Sequence, residues 1–345
     1  MHPVVVRRSI LTSKKSIVRK PPNDDEQVHI TAVGQSLPPA ITGSRSDLPS
    51  DVLAELRALC KPDPVRFLLV LAFAWFTIAV AISLATYADN IFVTIAVVFF
   101  IGTRQNILGL LMHEQCHRLA FRSKKGDLIA NFFACYPLFL TLEDYRRIHL
   151  AHHHKYFTSG DPDFRRKQGK EWTFPQKCRY LLRSFFLDIT GIGFIRMIRG
   201  KTAASAKKSK TGFSSILRLS YYLTFAILFT VTGTWTQFLL FWFLPLITVM
   251  QVIVRWGAIC EHKYNLINPS IPESTPIIIP RWWEALMLPN LNFTFHVHHH
   301  WFPQIPFSKL PIAHRILEQA GRVNIGNVFR GYGDYFRFIT GIVKK

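Results

Sequence analysis

The chain lacks a disulfide framework. Its five cysteines, Cys60, Cys116, Cys135, Cys178 and Cys260, are odd in number and scattered without a CxxC pair, which argues against stapled loops and against a thiolate zinc site and leaves reduced thiols. Acid is scarce: 21 Asp and Glu stand against 42 Lys and Arg, for a net charge of +21. The first twenty residues hold no acid at all, yet no apolar stretch long enough for a signal-peptide core comes before Phe67, so no cleavable secretory signal is expected. An organelle transit peptide shares that acid-poor, Ser- and Arg-containing character. No helix-turn-helix or RNA-binding signature accompanies the positive charge, and no nucleic-acid partner is expected. Charge is missing altogether between Leu219 and Val254.

What is present is apolar surface in long runs. With 345 residues, 49% hydrophobic and 14% aromatic, the composition fits an all-α polytopic membrane protein better than a basic soluble one. The basic residues collect between apolar runs, fifteen Lys/Arg against four Asp/Glu from Lys155 to Arg218, as expected of cytoplasmic loops. Residues 1–63 read as a polar, partly disordered N-terminal region ending in DLPSDVLAELRALCKP, which suits one short amphipathic helix. Residues 64–345 read as the membrane domain. Phe67–Ala88 and Ile91–Met112, with Arg104 the only charge in the second, predict one hairpin. Leu219–Val254 is too long for one span and predicts a second, turning around Gly233–Gln237. Leu128–Leu142 and Tyr180–Ile198, the latter carrying Arg183, Asp188 and Arg196, are expected to be re-entrant or interfacial helices. Two hairpins return the chain to one side, so a cytosolic helical cap, both termini and everything between the hairpins share one face. A helix from Ile91 to His117 measures roughly 40 Å at about 1.5 Å per residue, longer than a bilayer core of roughly 30 Å, which puts its last turn just outside.

Eleven of the fourteen histidines fall in four clusters at the ends of these runs. His113 and His117 are an i, i+4 pair. In HLAHHH, His149 is followed three and four places on by His152 and His153; in HVHHH, His296 is followed likewise by His299 and His300. Residues three and four apart share a helix face, so each block presents two or three imidazoles to one centre. His262 lies beyond the fourth apolar run in the place that His113 and His117 hold beyond the second. A lone pair of histidines is more often a hydrogen-bonded core pair, but three blocks together are not explained that way. Nine candidate ligands, His113, His117, His149, His152, His153, His262, His296, His299 and His300, are too many for one ion, and an imidazole-rich donor set suits iron among redox-active metals without excluding zinc or copper. His154 and His298 fall outside the spacing and are expected to be supporting or solvated. Glu114 and Glu261 neighbour candidate ligands and are expected to accept from an imidazole N–H.

The three boxes, their order, the first box at the end of a second membrane helix, the GDPD at Gly160–Asp163 and the context NFTFHVHHHWFPQIP resemble the membrane fatty-acid desaturase and hydroxylase superfamily over roughly residues 64–315. The resemblance implies that these histidines bind two Fe ions, that dioxygen is the co-substrate, and that two externally supplied electrons drive removal of hydrogen from an unactivated C–H bond of a lipid or acyl chain. It implies the extra ligand role for His262 in CEHKY. The first box is HxxxH rather than HxxxxH, and the third begins with His296 rather than glutamine; this leaves acyl-lipid-like desaturases, hydroxylases and carotenoid ketolases. No His-Pro-Gly-Gly of a fused b-type cytochrome occurs, so the resemblance requires a separate electron donor, a ferredoxin or a b-type cytochrome; a basic cytosolic face suits an acidic one.

Two other classes compete. HEQCH matches HExxH, in which two histidines bind zinc and the glutamate acts as base; that protease reading leaves the second and third blocks unexplained. A metal transporter or sensor would carry its histidines on flexible loops, whereas here Leu150, Phe293, Phe295, Val297, Trp301 and Phe302 interleave with them, as in a packed site.

Overall fold

The computed structural model describes residues 37–196 and 212–343. The tail expected to be disordered falls mostly on residues 1–36, and residues 197–198 close the second expected interfacial segment; both lie outside the described residues. The described chain is mostly helical, with one two-residue parallel strand pair, Ile277–Ile278 against Val328–Phe329.

Four helices are long and apolar enough to cross a bilayer: Pro64–Ala88, Ile91–Cys116, Ser215–Thr232 and Trp235–Glu261. The first two meet at a two-residue turn. Asp89 takes a left-handed conformation, and the Asn90 side chain caps the second helix by accepting from the N–H groups of Phe92 and Val93, satisfying donors that a helix start leaves free. The pair packs through Ala81, Ala85, Val97 and Ile101. Gly102 admits the fourth long helix: a Cβ there would sit 2.6 Å from Val249, so only glycine lets the backbones approach this closely. Gly233, left-handed at φ +67°, separates the last two long helices. The fourth is irregular, with a π turn at Leu239–Phe243 just before Pro245, where the missing proline N–H breaks the regular ladder.

The Leu128–Leu142 stretch is not one helix. It ends the Lys124–Ala130 helix, passes through a π turn at Asn131–Cys135 and a single 3-10 turn, and reverses at Phe139, φ +58°. Pro137 is the physical reason: it has no N–H to give to the carbonyl of Phe133 four residues back. The Trp75 indole N–H donates to that carbonyl instead at 2.9 Å, and Trp242, stacked on Trp75, donates to the Pro137 carbonyl at 2.8 Å. In the second ambiguous stretch a helix runs from Cys178 to Ile189, with Leu182, Phe186 and Ile189 exposed and Asp188 buried against Arg255.

The expected short helix spans Ser50–Ala58. Ahead of it the chain is pinned to segments distant in sequence, Ala40 N–H donating to the Pro272 carbonyl and Thr42 N–H to that of Arg322. Ala40, Ile41, Leu48 and Leu56 share the main core with Leu310, Ala313 and Leu317 of the Leu310–Gln319 helix.

Candidate metal centre

His113 lies in the last turn of the Ile91–Cys116 helix and His117 is its C-terminal cap. The second block occupies the last turns of the Leu142–His154 helix, whose start is set by Thr141, accepting from the Asp144 N–H, and by Asn131, accepting from that of Leu142. Arg146 fixes the two helices to each other. Its Nε donates to the Cys116 carbonyl and one terminal nitrogen to that of Gln115, each at 2.9 Å, while both terminal nitrogens reach Asp127 at 2.8 and 3.0 Å. A guanidinium at a helix C-terminus meets carbonyls that have no partner within the helix and the negative end of the dipole. The clamp brings the His113 and His149 rings to 4.3 Å between centroids. His262 caps the C-terminus of the Val249–Glu261 helix, and the third block is the short His296–Trp301 helix, reached through left-handed residues at Leu291 and Asn292.

All nine candidate histidines come together. The ligand atoms of His113, His117, His149 and His299 lie within 4.8 Å of one another, and so do those of His152, His262 and His300. His153 adjoins the first group, its Nε2 at 3.0 Å from His149 Nε2 and 3.1 Å from His299 Nε2. His296 adjoins the second, its Nε2 at 3.1 Å from both His262 Nε2 and His300 Nε2.

The donor chemistry fits a cation. His152 Nδ1 lies 2.8 Å from a carboxylate oxygen of fully buried Asp161; the carboxylate only accepts, so Nδ1 carries a proton and Nε2 is the nitrogen turned toward His262. His262 Nδ1 lies 3.1 Å from the Tyr156 hydroxyl and 3.2 Å from the Thr275 hydroxyl. Nε2 of His262 faces Nε2 of His152 at 3.3 Å, the arrangement of two donor atoms that share one cation. Among the described residues, both ring nitrogens of buried His113 and Nε2 of His117 have no hydrogen-bond partner. Burial, with crowding by other imidazoles, lowers His149, His262, His296, His299 and His300 well below the usual imidazole value and His153 to about 2; burial and the Arg146 charge lower His117 to about 4. These rings are therefore neutral at physiological pH, the form that binds metal.

Two supporting expectations need correction. Glu114 does not accept from an imidazole; its buried carboxylate accepts the backbone N–H of Phe307 at 3.2 Å. Glu261 makes no hydrogen bond to a histidine ring among the described residues. Of the two roles expected for His298, supporting or solvated, burial leaves the first: it is fully buried, its Nε2 3.1 Å from Nδ1 of His314, a histidine outside every box. His154 is exposed.

Sequence reading noted Asp161 only as part of a resemblance and passed over Tyr156, Thr275 and Arg146. Asp161 accepts from four donors: His152, and the backbone N–H groups of Phe157, Asp163 and Phe164. An acid followed by proline, Asp161-Pro162, is a helix-cap signal, and here the cap residue also orients a histidine.

Compared with known proteins, residues 89–326 match the model of the fatty acid desaturase family. The chain is also similar to dihydrorhizobitoxine desaturase of Bradyrhizobium elkanii, 28% identical over 288 residues that cover 77% of this chain and 78% of that protein. Three histidine blocks in two facing groups and a family match across most of the chain lead to one assignment: this protein belongs to the fatty acid desaturase family.

Proposed function

We propose that this chain is a membrane-bound non-haem di-iron oxygenase that desaturates a fatty acyl chain. The observation that carries the reading is the convergence of imidazole nitrogens into two adjacent, largely buried groups, with His113, His117 and His262 at the ends of helices apolar enough to cross a bilayer. In this reading His113, His117, His149, His153 and His299 hold one metal, and His152, His262, His296 and His300 hold the other. Two irons held there supply activation of dioxygen, with two external electrons, for removal of hydrogen from an unactivated C–H bond. The remaining residues orient and enclose. Asp161 holds His152 with its proton on Nδ1, and Tyr156 and Thr275 do the same for His262, as outer partners of metal ligands do. The ring of Phe293 stands edge-on to His113 at 4.3 Å and Tyr145 lies stacked with His149 at 5.5 Å; these apolar walls keep water from the reacting face.

The topology follows from parity. Each pair of long helices returns the chain to one face; in this reading the metal centre and both termini share that face, and its basic loops make it the cytosolic one, with residues 1–63 preceding a desaturase domain of residues 64–345. The basic loops of that face draw an acidic ferredoxin or a b-type cytochrome. The glutamate base of the protease reading is unsupported, because Glu114 is engaged by the Phe307 N–H.

The test is the lipid profile, by mass spectrometry, of a desaturase-deficient microbial host expressing this chain with a ferredoxin system, beside a His299→Ala variant. Acyl chains lighter by two mass units only with the native chain support desaturation; a gain of sixteen favours the hydroxylase alternative. With acyl lipids unchanged and iron bound, dihydrorhizobitoxine, which the similar bacterial enzyme names, is the substrate to offer next.

A further inference from the structure

The helix Trp282–Met287 is built inside out. Of its six residues only Glu284 is buried, while Trp282, Leu286, Met287 and Trp283 are exposed by 80%, 65%, 51% and 47%. The Glu284 carboxylate accepts the N–H groups of Arg281 at 2.8 Å, Tyr332 at 3.0 Å and Gly333 at 3.2 Å. That carboxylate fastens the polar side inward, to the start of the Tyr332–Ile339 helix, and the apolar side is thereby held outward. A contiguous exposed patch of this kind marks an interaction site, and two tryptophans with a leucine and a methionine suit a membrane interface, where amphipathic rings collect.

The position of the helix names the partner. Just beyond it, the Pro289 carbonyl accepts from the side chain of Asn106 at 3.0 Å, a residue of the Ile91–Cys116 helix. At about 100° per residue, Phe92, Ile95 and Phe99 lie within about 40° of Asn106 on that helix. They are exposed by 78%, 59% and 42%, so the stripe that ends at Asn106 is the lipid-facing one. The tryptophan helix continues this surface toward the histidines, because the chain after Pro289 runs directly to Phe293, whose ring touches His113.

We infer that Trp282–Met287 is inserted in the bilayer interface beside the second long helix, with membrane lipid as its partner. Full-length protein in phosphatidylcholine nanodiscs, spin-labelled at Leu286→Cys in a Cys60→Ser, Cys178→Ser background, tests it by collision with oxygen and with a water-soluble nickel chelate; the other three cysteines are buried. Phe99→Cys and exposed Arg165→Cys serve as lipid and water references. The expected result is a label about 5–10 Å below the headgroup boundary, the depth of an interfacial helix, with nickel collisions reduced toward the Phe99 reference. Nickel access equal to that at Arg165 overturns the inference, as does spin–spin broadening between labels, which would mean that a second copy of the chain covers the patch. Trp282→Cys repeats the measurement should the first variant fail to fold.

Discussion

Replacing Asp161 with Asn keeps the shape and removes one acceptor. The carboxylate takes His152 Nδ1–H and the Phe157 N–H on one oxygen, and the Asp163 and Phe164 N–H groups on the other. Asparagine is as good a helix cap as aspartate, so the amide oxygen stays with Asp163 and Phe164 and the NH2 turns toward His152. Facing a donor, the imidazole moves its proton to Nε2, the nitrogen that points at His262 and the second group. Loss of an outer partner of a metal-binding histidine costs about 10–100-fold in affinity or activity, or about 1.4–2.8 kcal/mol. Both partners are almost fully buried, with side chains 3% and 0% exposed, so water does not replace the lost bond and the upper half of that range is expected. Chelator competition followed by elemental analysis reads it: one metal per chain leaves early while the other, at the His113 group, is retained. A variant that holds both metals as tightly as the native chain refutes the role assigned to Asp161.

Arg146→Lys cannot make the two carbonyl bonds and the forked contact with Asp127 together, and leaves partly buried groups without partners; a loss of about 2–3 kcal/mol is expected, seen as earlier thermal unfolding in detergent, and an unchanged transition would show that the clamp does not hold the two helices. Glu114→Gln keeps an acceptor for the Phe307 N–H, so metal content and oxygenase activity persist; complete loss of activity in a folded variant would return the glutamate to the chemistry. For metal-free protein the sign of the pH dependence follows from imidazoles held neutral in the fold, His117 to about 4 and His153 to about 2, against roughly 6.5 when unfolded. The unfolded chain then binds more protons in that window, so stability is at its full value above about pH 6.5 and falls as the pH drops toward 4. Unfolding temperatures that stay flat or rise between pH 7 and pH 5 would contradict this.

The convergence of the candidate histidines was legible because residues at helical spacing share a face, and His113/His117, His149/His152/His153 and His296/His299/His300 carry that spacing. The long helices were legible from hydropathy, and the Ile91–Cys116 helix ends within a residue of the length expected. What was not legible depends on partners distant in sequence. Trp75 and Trp242 accommodate Pro137 from 62 and 105 residues away, and that is why Leu128–Leu142 breaks where a hydropathy window shows one segment. The direction of Glu114 was hidden for the same reason: its acceptor role is filled by a backbone N–H 193 residues on. Asp161 sits nine residues after His152, outside any helical repeat, because a turn and not a helix brings it back.

Elemental analysis with Mössbauer spectroscopy on protein purified from iron-57-fed cells tests the central claim most directly. About two irons per chain in a coupled pair, both reduced in amount in the His299→Ala and His300→Ala variants, is the result this account predicts. A single zinc per chain, retained in those variants, would contradict it.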